Sequence, residues 1–186
     1  METKEKTMNR NMKHFVYLLT LIISLVFASC TSQEAKFDAN LQEATHKYSL
    51  LENANSVFMK NLSTVFLDAS ENTNKRMQTE EYAYKLLNDF YDEAEENGML
   101  KAITDSKSQL QLAVSKLVNP PSSRQQCYDD LLDLVKDLYE MTNIVTRRPV
   151  DIFEFLEVME EINDTQDLLT ENEEMFITKY GQYLNK

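Results

Sequence analysis

From Phe37 onward the chain repeats its apolar side chains at steps of four and three: Phe37, Leu41, Ala44, Tyr48, Leu51, Asn55, Phe58, Leu62, Val65. Such steps put every member on one face of an α-helix, and an unbroken series makes a seam that must bury against helices running nearly parallel or antiparallel to it. A strand would need period two. Asn55 is the one polar member. It fixes register at some cost in stability, unless Ala54 takes its place in the seam. The breakers agree with this reading. Among 186 residues there are two glycines and three prolines, too few for the many turns of a β fold.

Three further helices follow the same logic. Ser70 to Arg76 is polar and aperiodic and reads as a turn. Thr79 with Glu80 and Glu81 suits a helix start, with acid in the first turn. The second helix uses Ala83, Leu87, Phe90 and Ala94, then skips before Leu100, Ile103, Leu110, Val114 and Leu117. Asn97-Gly98 sits in the skip, and glycine is costly inside a helix, so a kink or break is expected there. Asn119-Pro120-Pro121 ends this helix, and Ser122 or Ser123 caps the third. The third seam is Tyr128, Leu131, Val135, Leu138, Thr142, Val145, flanked by Leu134 and Met141. Arg147-Arg148 suits its carboxyl end, and Pro149 the first turn of the fourth helix. The fourth seam is Ile152, Phe155, Met159, Ile162, Gln166, Leu169, Glu173, Phe176, Tyr180. Gln166 and Glu173 interrupt it, which predicts exposed last turns, with fraying at Gly181. Short links between long helices favour antiparallel neighbours. The expected fold is all-α: an elongated, antiparallel up-down-up-down four-helix bundle with a kink near Gly98, over residues 37–184.

The amino-terminal region has a different character. Residues 1–14 are polar and mildly basic, and Phe15 to Ala28 is almost wholly apolar. At ~1.5 Å per residue that run is too short to cross a ~30 Å hydrocarbon core, but it has the length of a signal-peptide hydrophobic region. It closes on Phe27-Ala28-Ser29-Cys30. These residues resemble the lipobox of bacterial lipoproteins, with Phe27 where leucine is usual. The resemblance covers the first 30 residues. It implies residues 1–29 as a signal peptide, cleavage before Cys30, a lipid on that cysteine, and residues 30–36 as a tether. Several acyl chains together anchor firmly, at ~0.8 kcal/mol per buried methylene. Thr31 in place of the retention aspartate implies passage to the outer membrane. Asn119, Pro120, Tyr128, Asp129, Leu131 and Leu132 loosely resemble an Asn-Pro turn and Tyr-Asp-x-Leu-Leu helix of small uncharacterised helical lipoproteins, a grouping that lends fold support only.

The net charge is −12, and the first 29 residues hold four of the 19 basic but only two of the 31 acidic residues. The remainder is therefore more acidic still. Such a field repels phosphate backbones and argues against nucleic acid.

Chemistry is sparse. Glu43-x-x-His46 has di-iron spacing, but His46 is the only histidine after Cys30, so a second such pair cannot exist. The seam also turns both residues outward. Cys127 lies on an apolar edge beside Asp129 and Asp130, where a thiol is expected to be buried and inert. With two glycines there is no phosphate loop, and no hydrolase, zinc or calcium motif is found. No catalytic, metal or cofactor site is expected. Glu173 alone is an inward carboxylate. Tyr82, Tyr84, Phe90 and Tyr91 cluster on the second helix, and a ligand pocket would lie between helices near Gly98, lined by Phe90, Tyr91 and Ile103. The expected role is a non-enzymatic, lipid-anchored envelope module that contacts another envelope protein. The alternative is a lipoprotein that binds a small molecule or lipid between its helices.

Overall fold

Every regular element among the described residues, 32–67 and 80–184 of the computed structural model, is helical. The expected all-α class holds. Helix α1 runs over 32–67. It is followed by α2 (Glu80–Glu96) and α3 (Met99–Ser115). A 3-10 turn at Ser122–Arg124 leads into α4 (Gln125–Val145), and α5 spans Ile152–Leu184. The signal region, Cys30, the Ser70–Arg76 turn and Thr79 lie outside the described residues. The segment read as a tether is helical from residue 32.

The kink expected near Gly98 is a break between two helices. Gly98 adopts φ 82, a left-handed conformation open to glycine at no steric cost. Asn97 Oδ1 accepts a hydrogen bond from the Met99 N–H at 3.1 Å, covering one of the donors that the new helix start leaves free. Helix α3 then resumes with Ala102 N–H bonded to the Gly98 carbonyl at 2.9 Å.

Cross-helix contacts fix the directions. Asn40 Nδ2 donates to the Lys116 carbonyl at 3.0 Å and Lys47 Nζ to Gln109 Oε1 at 2.9 Å, so α1 and α3 are antiparallel. Gln42 Nε2 donates to the Tyr183 carbonyl at 3.2 Å while Phe66 meets the Phe155 ring at 5.1 Å, so α5 also opposes α1. Lys179 pairs with Asp130 and Arg147 with Glu161, which sets α4 against α5. Helices α1 and α4 run the same way, joined by Asp38–Arg124 and Asn55–Thr142.

The core follows the seams, with a one-residue shift in each of α3, α4 and α5. In α1, Asn55 and not Ala54 takes the buried place. In α3, α4 and α5, Ala113, Cys127 and Val158 are buried while Val114, Tyr128 and Met159 are half-buried, one residue from the expected register. A globular helix buries a stripe ~100° wide, wider than a coiled-coil seam, so the neighbouring position can win. The last turns of α5 are packed, contrary to expectation: Phe176 and Tyr180 are buried, and Gly181 lies inside the helix. Each fully buried leucine or phenylalanine, such as Leu51, Leu138 or Phe155, contributes about 1.5–3 kcal/mol.

Neither serine caps α4. The helix grows out of the 3-10 turn, and Ser123 Oγ donates instead to Glu34 on α1. Helix α5 starts on an unexpected device, beyond Pro149. Asp151 Oδ1 accepts from the Glu154 N–H at 2.8 Å, and Glu154 Oε2 reaches back to the Val150 N–H at 2.7 Å. This reciprocal arrangement closely follows a capping box.

Candidate functional site

Helix α1 presents Tyr48, Glu52 and Asn55 at steps of four and three, hence on one face. Helix α5 runs the other way past them and brings Glu173 to the same place. Between the two helices lies a cleft of about 370 Å³, floored by Leu134 of α4 and flanked by Tyr48, Glu52, Glu173, Phe176 and Ile177. A smaller chamber of about 50 Å³ adjoins it, with Asn55, Gln166 and Leu138 in its wall. Glu52 and Glu173 line both spaces.

The polar atoms here are unevenly satisfied. Thr142 donates its hydroxyl proton to the Leu138 carbonyl at 2.7 Å, so its oxygen must accept from Asn55 Nδ2 at 2.9 Å. That fixes the orientation of the Asn55 amide. Its other atom, Oδ1, is buried without a protein partner, as are the Tyr48 hydroxyl and Glu173 Oε1. Asn55 is 1% exposed and Tyr48 5%. The Tyr48 hydroxyl lies near enough to the Glu173 carboxylate to feel its charge, but the two do not meet in hydrogen-bond geometry.

Burial, and then Glu173, hold the Tyr48 phenol far above its ordinary range, so it keeps its proton. Burial also raises Glu173, with the Tyr48 hydroxyl partly offsetting it. Glu52 is raised by burial first and by the Glu173 charge second. The site is thus a partly dry, acceptor-rich slot beside an apolar wall.

The residues singled out in the sequence fall in several places. Glu173 faces inward as expected. Phe90, Tyr91 and Ile103 are core residues, each buried. Phe90 and Tyr91 meet the Phe58 ring edge-on at 5.2 and 5.6 Å, and the Tyr91 hydroxyl donates to the Arg147 carbonyl at 3.1 Å. The clefts described above lie elsewhere. Glu43 turns outward to Lys116, at 2.6 Å, and His46 is exposed at the rim of the α1/α5 cleft. Cys127 is buried, and its thiol is pushed up to about 11 by burial, partly countered by the Arg124 charge. Cys30 is outside the described residues. Among the described residues, no group of three His, Cys, Asp or Glu is placed to hold a metal ion.

Glu52 was not singled out by sequence reasoning, although its spacing of four from Tyr48 and three to Asn55 was there to read. No family model matches the chain, and no curated protein or solved structure is significantly similar to it.

Proposed function

We propose that the chain is a lipid-anchored envelope protein: a signal peptide over residues 1–29, a lipid on Cys30, and a helical body that acts without catalysis of its own by contacting another envelope protein. The observation that carries this reading is the Phe15–Ala28 apolar run closing on Ala28-Ser29-Cys30. Among the described residues no helix is long and apolar enough to cross a membrane, which is compatible with anchoring by acyl chains. The helices form four antiparallel columns in up-down-up-down order, with α2 and α3 sharing the second. The opposing contact registers support that arrangement.

Apolar side chains left outside the core favour a partner surface. Leu50 and Val57 on α1, and Leu168 and Met175 on α5, are heptad-spaced and exposed. The anchor and the partner are tested separately. Cells expressing the full chain and fed an alkyne fatty acid should label it, and Cys30→Ser should abolish the label and release the chain from membranes. Unlabelled wild type refutes the anchor. Crosslinking on intact cells should return one recurrent partner, lost in the Leu168→Lys, Met175→Lys double variant. Repeated absence of any adduct refutes the partner.

A second reading, binding of a small molecule between helices, is favoured by the α1/α5 cleft of about 370 Å³, with Leu134, Phe176 and Ile177 on its apolar side, rather than by the aromatic cluster near Gly98.

A further inference from the structure

The cysteine read as lipidated and the start of α1 are two residues apart in sequence. Helix α1 begins at residue 32 and continues without interruption to residue 67. Two residues reach about 7 Å at full extension. With acyl chains on Cys30, that span is too short to hold the body clear of the bilayer. Whatever surrounds the first turns of α1 then lies at the headgroup layer.

The α3–α4 connection surrounds them. It enters at Lys116, whose carbonyl accepts from Asn40 Nδ2 at 3.0 Å, and leaves at Ser123, whose hydroxyl donates to Glu34. Between the two, Asn119 turns the chain with φ 60. Val118 is 60% exposed, and Pro120 and Pro121 are half-buried. These three side chains are uncharged, and the prolines have no N–H to desolvate. Contact with the hydrocarbon boundary therefore costs little at this turn.

Charge is arranged to match. The first two carboxylates after Cys30 are Glu34 and Asp38, and the clamp end draws both inward. Glu34 accepts from Ser123 and lies 4.0 Å from Arg124, while Asp38 is buried on the Arg124 guanidinium. Lys36, between them in sequence, is exposed. The chain as a whole carries a net charge of −12. An anionic lipid surface repels such a body and attracts exposed lysine. It favours contact through this end over contact along the sides.

We propose that the end of the bundle holding Asp38 and Arg124 is a membrane-contact surface, with Val118, Pro120 and Pro121 seated among the headgroups of the bilayer that holds the Cys30 lipid, and the bundle standing end-on to it. The inference rests on the lipid anchor of the proposed function and deepens it: the anchor holds the chain to a membrane, and the contact decides which end touches. At ~1.5 Å per residue, α1 carries the opposite end, where Phe66 meets Phe155, about 50 Å away.

The chain has no tryptophan, so a single introduced one reports its own surroundings. The acylated full chain, carrying Val118→Trp or Val150→Trp, is reconstituted into vesicles of phosphatidylethanolamine and phosphatidylglycerol, with or without brominated acyl chains. Both positions are exposed, and Val150 belongs to the opposite end, so neither change disturbs the core. Emission from Val118→Trp should move to shorter wavelength on reconstitution and be quenched by the brominated lipid, as for an interfacial tryptophan. Emission from Val150→Trp should do neither. Flotation of both variants with the vesicles, without quenching of Val118→Trp, overturns the end contact and leaves the anchor standing. Equal quenching of the two means that the body lies along the bilayer, and overturns the end-on contact. A chain that does not float with the vesicles overturns the anchor, and this inference with it.

Discussion

Helix α1 puts two polar groups of residues into the core, and they are treated differently. At its head, Asp38 meets Arg124, with Arg124 Nε on Asp38 Oδ1 at 2.9 Å and both side chains nearly fully buried. The guanidinium also lies over the Tyr183 ring at 3.9 Å and within 4.0 Å of Glu34. The cation is thus held by carboxylates along one edge and by a ring across one face. About three to five turns further on, Tyr48 and Asn55 are as deeply buried, yet the Tyr48 hydroxyl, Asn55 Oδ1 and the nearby Glu173 Oε1 have no protein partner. Burying a charge or polar group is tolerable when its hydrogen bonds are made. The first cluster satisfies that condition internally and reads as a clamp. The second leaves three buried polar atoms without a protein partner and is the less well matched of the two.

The comparison can be broken most forcefully at the clamp. Arg124→Ala removes the cation that pairs with the buried Asp38 and should cost about 3–5 kcal/mol, read from urea unfolding. A loss under about 1 kcal/mol would mean the ion pair is no better than a surface one. At the seam, Thr142→Val removes the one partner Asn55 has. Chemical denaturation should show a loss of about 1–3 kcal/mol. Tyr48→Phe tests the opposite sign. Deleting a hydroxyl that meets no partner in good hydrogen-bond geometry should be neutral or stabilise by about 1 kcal/mol, and a clear loss would show that its approach to Glu173 is a hydrogen bond.

The smallest effect is a pH slope. Glu173 and Glu52 hold protons more tightly in the folded state than in the unfolded chain, because burial disfavours their charge. The folded state therefore carries more protons over that range, and by linkage stability falls as pH rises. These two groups' contribution is fully present below the ordinary carboxylate range and lost as pH climbs through their raised values. Melting temperatures from mildly acidic to neutral pH should carry this decline, and Glu173→Gln should flatten it. An unchanged slope would mean Glu173 is more hydrated than its surroundings imply.

These regions also differ in how visible they were in the sequence. The seam was legible because its information is local: steps of four and three put Tyr48 and Asn55 on the buried face, and the same count along α5 turned Glu173 inward. The clamp was invisible. Asp38 sits next to Phe37 and looks like a solvated charge, and its partner lies 86 residues away, a pairing no local spacing encodes. The same holds for the packed end of α5. Gln166 and Glu173 suggested exposure, but Arg124 and Gln42 hold Tyr183 from other helices. The one-residue shifts at Cys127 and Val158 have a different cause, since a broad apolar stripe leaves two adjacent residues nearly equivalent until the partner helix selects one. The capping box at Asp151 and Glu154 is a local pattern that was present to be read.

The clamp has a mechanical corollary. It gathers the first turns of α1, the start of α4 and the last turn of α5 at one end of the molecule, so the two tails of the folded body leave side by side. A tug between them would first load Arg124, Gln42 and Tyr183, which tie those segments together. Joining the tails by a short linker and opening the chain in the α4–α5 connection should for the same reason leave the body foldable.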